Sequence, residues 1–337
     1  MQLLKEHYGF ILLCCLLGFL EFRIVAFIHQ WNFEDVVRVS LGPVDGTAYW
    51  RAFQNKLLSG LICRGIAAVL QISDRLAFIL FGVVTLAATN VMTYAASVSL
   101  TGNRRQAAGY MGVGAALFVA LQDGRWIMGW DFLDLFFFAA FAYGIASERR
   151  WMYFLGIYLP ALFTRETALF IPLWFVLRAL FEREKSWHWQ AAVGGAALAV
   201  GAAVIKIVRD VFFVRSPYEN IGTDEAHKVF GNFFTLTRNL ADFADNILRF
   251  HFDLVSNLFV VLVVWWILRT WRRVPGRMRA LAVLLLGMMA SVFLVGIINE
   301  TRNWLTMIPL FLVYAEVTLS PSLRSPGLQR EIPAAGL

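Results

Sequence analysis

Apolar stretches of nearly regular length, separated by short connectors rich in arginine, are what most limits how this chain folds. A helix needs about 20 apolar residues to cross the hydrocarbon core of a bilayer, and it satisfies its own backbone groups while doing so. Such stretches occur at 9–28, 76–98, 107–121, 131–146, 151–163, 167–181, 188–208, 254–270, 280–298 and 304–318. Composition agrees, because 59% of the 337 residues are hydrophobic, only 16% are charged, and mean hydropathy is +0.63. Soluble domains carry roughly 25% charge. The pattern predicts an all-α polytopic membrane protein, a single integral domain over 1–337 with about ten transmembrane helices. Soluble nucleotide-binding folds, nucleic-acid modules and secreted disulfide scaffolds are excluded on the same ground. Cys14, Cys15 and Cys63 lie in or beside apolar runs and show no metal-ligand spacing.

Basic residues set the orientation. The connectors 99–106, 147–150, 182–187 and 271–279 carry Arg104, Arg105, Arg149, Arg150, Arg183, Lys185, Arg272, Arg273, Arg277 and Arg279. Placed on the cytoplasmic side, they make every second connector cytoplasmic, and Lys5, Arg324 and Arg330 put both termini there too. The net charge of +7 then reflects anchoring clusters rather than a nucleic-acid surface. Counting LLSGLICRGIAAVLQI, 57–72, as a span would throw Arg104–Arg105 and Arg149–Arg150 outside. It is expected instead to lie at, or dip into, the outer interface. The first apolar run lacks a small-x-small cleavage site and is followed by Glu21 and Arg23, as in an anchor that stays attached. The expected location is the cytoplasmic (inner) membrane.

Two long loops then face outward: 29–75, which includes the interfacial helix, and 209–253. In the second, Phe230, Phe233, Phe234, Leu240, Phe243, Ile247, Leu248 and Phe250 recur at near-helical spacing among polar residues. That spacing fits an amphipathic helix on the membrane surface or a capping helix packed on the bundle. Acidic residues are sorted unevenly. Glu6, Glu21, Glu148, Glu182, Glu184, Glu316 and Glu331 are inside or within spans, which leaves sixteen of 23 carboxylates outside.

Charges near membrane depth are costly and point to function when a partner can be named. Asp45 follows a Gly-Pro turn and precedes an expected helical stretch, 47–58, that also carries Tyr49, Arg51 and Lys56. It reads as a helix N-cap or as a reactive carboxylate with anion-binding groups beside it. Glu34 and Asp35 are the substitutes if Asp45 only caps. Arg165-Glu166 interrupts two apolar runs, and Glu300 with Arg302 repeats the device; either guanidinium could hold a phosphate through its planar fork. Asp131 and Asp134, three apart, share a helical face and could hold sugar hydroxyls or a divalent cation, or simply begin a helix. No Gly-x-Ser-x-Gly, His-x-x-x-His or Gly-rich phosphate loop appears, and no metal ligand set is assigned.

The arrangement resembles the GT-C glycosyltransferases, which place a catalytic Asp in the first outer loop, often as Asp-Glu-x-x-Tyr. Here Val44-Asp45-Gly46-Thr47-Ala48-Tyr49 keeps the Asp and the Tyr four residues on, with Gly in place of Glu. The resemblance covers about 30 residues by motif and the rest by topology. It implies a sugar moved from a polyprenyl-phosphate donor to a glycan, lipid or protein acceptor at the outer face, with inversion. Asp45 would be the base. Arg165 and Arg302 would hold the leaving phosphate, assisted by Arg51 or Lys56, with Tyr49, Glu166, Glu300 and Asp131 binding substrate. The carrier would enter between spans, framed by 47–72 and 229–250. Other readings stay open: a polymerase or ligase of lipid-linked polysaccharide, a transporter, or a non-enzymatic envelope assembly protein.

Overall fold

The computed structural model describes residues 2–47, 55–122, 127–183, 186–212, 235–251, 254–296, 298, 300 and 302–320. All regular elements among them are helical: α1 (Gln2–Ile28), α2 (Phe33–Leu41), α3 (Leu57–Leu70), α4 (Asp74–Thr101), α5 (Arg104–Ala120), α6 (Gly129–Ala146), α7 (Trp151–Ala161), α8 (Phe170–Glu182), α9 (Trp187–Phe212), α10 (Leu236–Leu248), α11 (Leu254–Thr270), α12 (Gly276–Val295), the single turn α13 (Arg302–Leu305) and α14 (Met307–Leu319). Short 3-10 turns, Glu166–Leu169 and Trp271–Arg273, lead into α8 and follow α11. Within α1, α4, α6, α9, α11 with its following turn, and α12, a stretch is long and apolar enough to cross a bilayer. The chain is an integral membrane protein.

Local signals set the helix ends. Ser73 caps α4, its hydroxyl accepting from Leu76 N–H at 3.4 Å, and Asp74 favours the positive end of the helix dipole. Asn103 caps α5 by accepting from the N–H groups of Arg105 and Gln106. α6 is apolar on all sides, which a helix tolerates only when neighbours cover it all round. It is the hub, with 94% of its span buried, against 22% for α9 and 28% for α1, whose leucines and phenylalanines face outward. α1 packs along α4, which also packs on α5 and α6; α8 packs between α9 and α12, and α14 closes the bundle against α6 and α12. Gly18 lets α1 approach α4, because a Cβ there would collide with the backbone of Ala87.

With lipid outside, apolar burial gives helices little reason to associate, so close packing and polar staples matter more. Glu21 of α1 accepts from Asn90 of α4 at 2.7 Å, and Ser97 of α4 donates to Glu316 of α14. Trp266 of α11 donates to Thr318 at 2.8 Å, and Thr270 and Tyr314 share a hydrogen bond of the same length.

The connectors meet in two groups. At one end Arg277 pairs with Glu148 at 2.5 Å, and Gln106 reaches Ser320. At the other, Leu58 N–H donates to Phe163 C=O at 3.0 Å, Gly129 N–H to Ser40 at 2.9 Å, and Arg165 to Asn303 at 2.5 Å. This is the alternation the arginine-bearing connectors predict. α3, at 14 residues, rises only about 21 Å and falls short of the roughly 30 Å core. α7, of 11 residues, is shorter still, at about 16 Å, while α8 with the 3-10 turn that leads into it rises about 27 Å. Leu169 lies against Gly201. The turn between α7 and α8 stands outward of that level, and its Glu166 pairs with Arg209 near the end of α9.

Candidate anion-binding site

Asp131 is the centre of this second group of connectors. It stands in the first turn of α6, where its Oδ2 accepts from Met128 N–H at 2.8 Å and so holds the start of the helix. Gly129 gives close packing two residues earlier, since a Cβ would press on Ser59 at 3.2 Å and Phe78 at 3.3 Å. The same carboxylate draws two guanidinium groups from distant connectors. Arg165, in the turn between α7 and α8, places Nη1 3.2 Å from Oδ1, and Arg302, at the start of α13, faces Oδ2. Arg165 also donates to Asn303 and lies 3.8 Å from Asp134, whose oxygens accept from the Thr167 hydroxyl at 2.7 and 2.8 Å. Arg302 donates to Glu300 at 2.9 Å.

These groups are withdrawn from solvent. The side chains of Asp131 and Asp134 are 1% and 0% exposed, those of Arg165 and Arg302 12% and 10%. Lys56 is buried beside them, with Nζ 5.0 Å from the ring centre of Trp130. Burial, reinforced by the charges of Arg165 and Arg302, holds the Lys56 ammonium well below the usual lysine range, against the opposing pull of Asp131 and Glu300. At Glu300 burial pushes the carboxyl up, yet the charge and hydrogen bond of Arg302 prevail and hold it low. Among the described residues Nε of Arg165 and Nη1 of Arg302 make no hydrogen bond; each instead faces a carboxylate oxygen, of Asp134 at 3.8 Å and of Asp131 at 3.7 Å. Buried donors are nearly always satisfied, so a ligand oxygen could engage these two more closely than the carboxylates do.

A second group flanks the first. Arg209, near the end of α9, pairs with Glu166 and donates to Asn55 at 3.3 Å. Asp45 stands apart from the Asp131 cluster in a different ionic group. Arg64 of α3 grips both its oxygens, at 3.2 and 2.6 Å, and also pairs with Asp74 at 2.7 Å. Phe78 packs level with Gly129 and Phe132, and Asp74 lies four residues beyond it, so this triad sits about one helical turn, ~6 Å, outward of Asp131.

Of the residues singled out in the sequence, Lys56, Asp131, Arg165, Glu300 and Arg302 converge, and Glu166 adjoins them. Asp45 is held by Arg64 outside that cluster. Glu34 pairs with Arg75 at 2.8 Å and Asp35 with Arg38 at 2.7 Å, both exposed. Tyr49 and Arg51 lie outside the described residues, as does most of the helix expected over 47–58. Thr47, Asn55 and Lys56, which flank that gap, are not helical. Arg64, Arg209, Asn55 and Asn303 were not singled out in the sequence. Arg64 and Arg209 carried a signal nonetheless, Arg64 as a lone cation within an apolar run and Arg209 as a cation at the end of one. Among the described residues no three His, Cys, Asp or Glu side chains gather as a metal site would need. Burial pushes the Cys63 thiol up to about 12, the wrong direction for a nucleophile. No known protein family, curated protein or solved structure matches the chain.

Proposed function

We propose that the chain is a GT-C-like membrane glycosyltransferase of about ten spans that takes a sugar from a polyprenyl-phosphate carrier at the outer face of the cytoplasmic membrane. One observation carries the reading: Lys56, Arg165 and Arg302, from three separate connectors, gather around one carboxylate with little solvent exposure, and one nitrogen of each guanidinium makes no hydrogen bond among the described residues. Such a constellation suits a phosphate on which negative charge develops as the sugar leaves, in a site that water screens weakly. Its place beside the short helix α7 suits a lipid-linked donor arriving sideways from the bilayer.

An inverting displacement puts the attacking hydroxyl and the leaving phosphate on opposite faces of the sugar. In inverting glycoside hydrolases the two working carboxyl groups stand about 6.5–9.5 Å apart for the same reason. The base is therefore to be sought a sugar's width from the cations. Asp45, oriented by Arg64, is freer for that role than Asp131, which is spent on the helix start and two guanidiniums. Asp45 takes the acceptor proton in this reading, while Lys56, Arg165 and Arg302 hold the phosphate.

The test is mass spectrometry of lipids that copurify with the wild-type protein and with Arg165→Ala. A polyprenyl phosphate, with or without sugar, that disappears in the variant is the expected result and supplies a donor for assay of Asp45→Asn. Phospholipids alone in both samples would turn the reading toward transport or assembly.

A further inference from the structure

α10 combines three faces. Arg238, Asp242, Asp245 and Arg249 line one side, with pairs of 3.7 Å between Arg238 and Asp242 and 2.7 Å between Arg249 and Asp245. Leu236, Leu240 and Ile247 form a stripe on another side, and all three are exposed. The third face, which meets the protein, carries two buried asparagines, Asn239 and Asn246, with Phe243 between them packed on Phe293 at 5.7 Å between ring centres. Asn239 is fully buried.

The Asn239 amide binds the end of α12. Nδ2 lies 3.2, 2.9 and 2.9 Å from the carbonyl oxygens of Val292, Phe293 and Gly296, and 2.9 Å from the Thr235 hydroxyl. A helix C-terminus leaves its last carbonyls without intrahelical partners, and here the Val292 oxygen also accepts from Gly296 N–H at 2.9 Å. Oδ1 accepts from Ile298 N–H at 3.4 Å. Thr235, just before α10, adds a hydroxyl bond to Gly296 C=O at 2.8 Å and a backbone bond to Leu294 C=O at 2.9 Å. The tether continues toward the site. Ile298 C=O accepts from the indole of Trp304 at 3.1 Å, and Trp304 shares the single turn α13 with Arg302.

We propose that Asn239 is a positioning residue for Arg302: α10, seated with its leucine stripe in the membrane interface, fixes through this amide the segment that carries the Arg302 guanidinium to the anion site. The inference rests on the reading of Arg302 as a phosphate holder. An amphipathic helix of this kind lies in the interface plane, with its charged side to water and its apolar edge among acyl chains. The amide then converts a lipid-anchored helix into a fixed register for the turn that follows α12.

The experiment uses the full-length protein in detergent and farnesyl phosphate as the probe, with binding read from tryptophan fluorescence. Arg302→Ala is expected to weaken binding about tenfold, the size of losing one charge-assisted hydrogen bond. Asn239→Ala is expected to lose a similar factor, and Asn239→Ala with Arg302→Ala to lose no more than Arg302→Ala alone. Such non-additivity marks residues acting through one another. Thr235→Val, a milder cut in the same tether, is expected to lose about threefold and guards against an Asn239 variant that does not fold. Affinity of folded Asn239→Ala within twofold of wild type, or losses that simply add, would overturn the positioning role. Unchanged binding by Arg302→Ala would instead refute the anion-site reading on which it rests.

Discussion

Arg302 and Asp131 stand 3.7 Å apart, near enough to share charge and too far to share a hydrogen bond. The gap gives the cluster its character. Asp131 gathers two guanidinium groups without saturating them, which is what the proposed anion site needs.

Asp131→Asn keeps an oxygen for Met128 N–H while removing the charge that offsets Arg165 and Arg302. Breaking a buried pair in this way costs about 3–5 kcal/mol. The expected outcome is a markedly lower unfolding midpoint in detergent, with helicity retained by circular dichroism at low temperature. A midpoint equal to wild type would mean that the cations do not depend on Asp131.

If the cluster binds phosphate as proposed, Lys56 should make that binding depend on pH. Its pKa lies below the ordinary lysine value of 10.5, so charge is lost as pH rises through the lowered pKa. Binding of a phosphate probe is expected to be strong below that pKa and to weaken above it, with the midpoint short of 10.5. In the window between the folded and unfolded pKa values the unfolded chain binds more protons, so this group's contribution to stability rises with pH. Lys56→Met should bind weakly throughout and show no step. A step that persists in that variant would assign the titration elsewhere.

Arg64→Ala separates orientation from stability. The Arg64, Asp45 and Asp74 side chains are about two-fifths exposed, and pairs of that kind contribute about 0–1 kcal/mol. The unfolding midpoint should therefore move little. Transfer activity, once a donor is known, should fall at least tenfold because Asp45 loses the group that aims it. Equal activity in wild type and variant would remove Asp45 from the chemistry.

Glu21→Gln should be tolerated and Glu21→Leu should not. Glutamine still offers an oxygen to Asn90, whereas leucine leaves that amide buried and unpaired at a cost of about 1–3 kcal/mol. Unfolding midpoints of the two variants give the comparison directly.

Much of the fold was legible because lipid imposes a simple rule on sequence. Apolar runs became helices close to where the spacing put them, and the arginine connectors came together at one end. The α7–α8 hairpin was visible only as two short runs around Arg165-Glu166, and the pairing of its turn with Arg209 near the end of α9 was not visible at all. At the site, like-charged neighbours on separate connectors could be listed but not joined. Arg165 meets Asp131 across 34 positions and Asn303 across 138. Asp45 shows the opposite error: its turn and motif were clear, while the partner that holds it, Arg64, read as an isolated charge in an apolar helix. Asn239 gave no warning at all, since one asparagine on an amphipathic helix carries no sign of what it will cap.

The brevity of α7 also has a mechanical side. The outward residues of the hairpin, Leu159, Phe163, Leu180 and Phe181, are exposed to whatever surrounds the bundle, and on the α7 side the helix offers acyl chains a wall only about 16 Å tall. Lipids beside the hairpin must compress, tilt or draw their headgroups inward, at an elastic cost that grows with each ångström of mismatch. A thick bilayer would strain against this flank and a thin one would relax onto it. Acyl-chain length in reconstituted vesicles thus becomes a control on the protein as real as pH or salt.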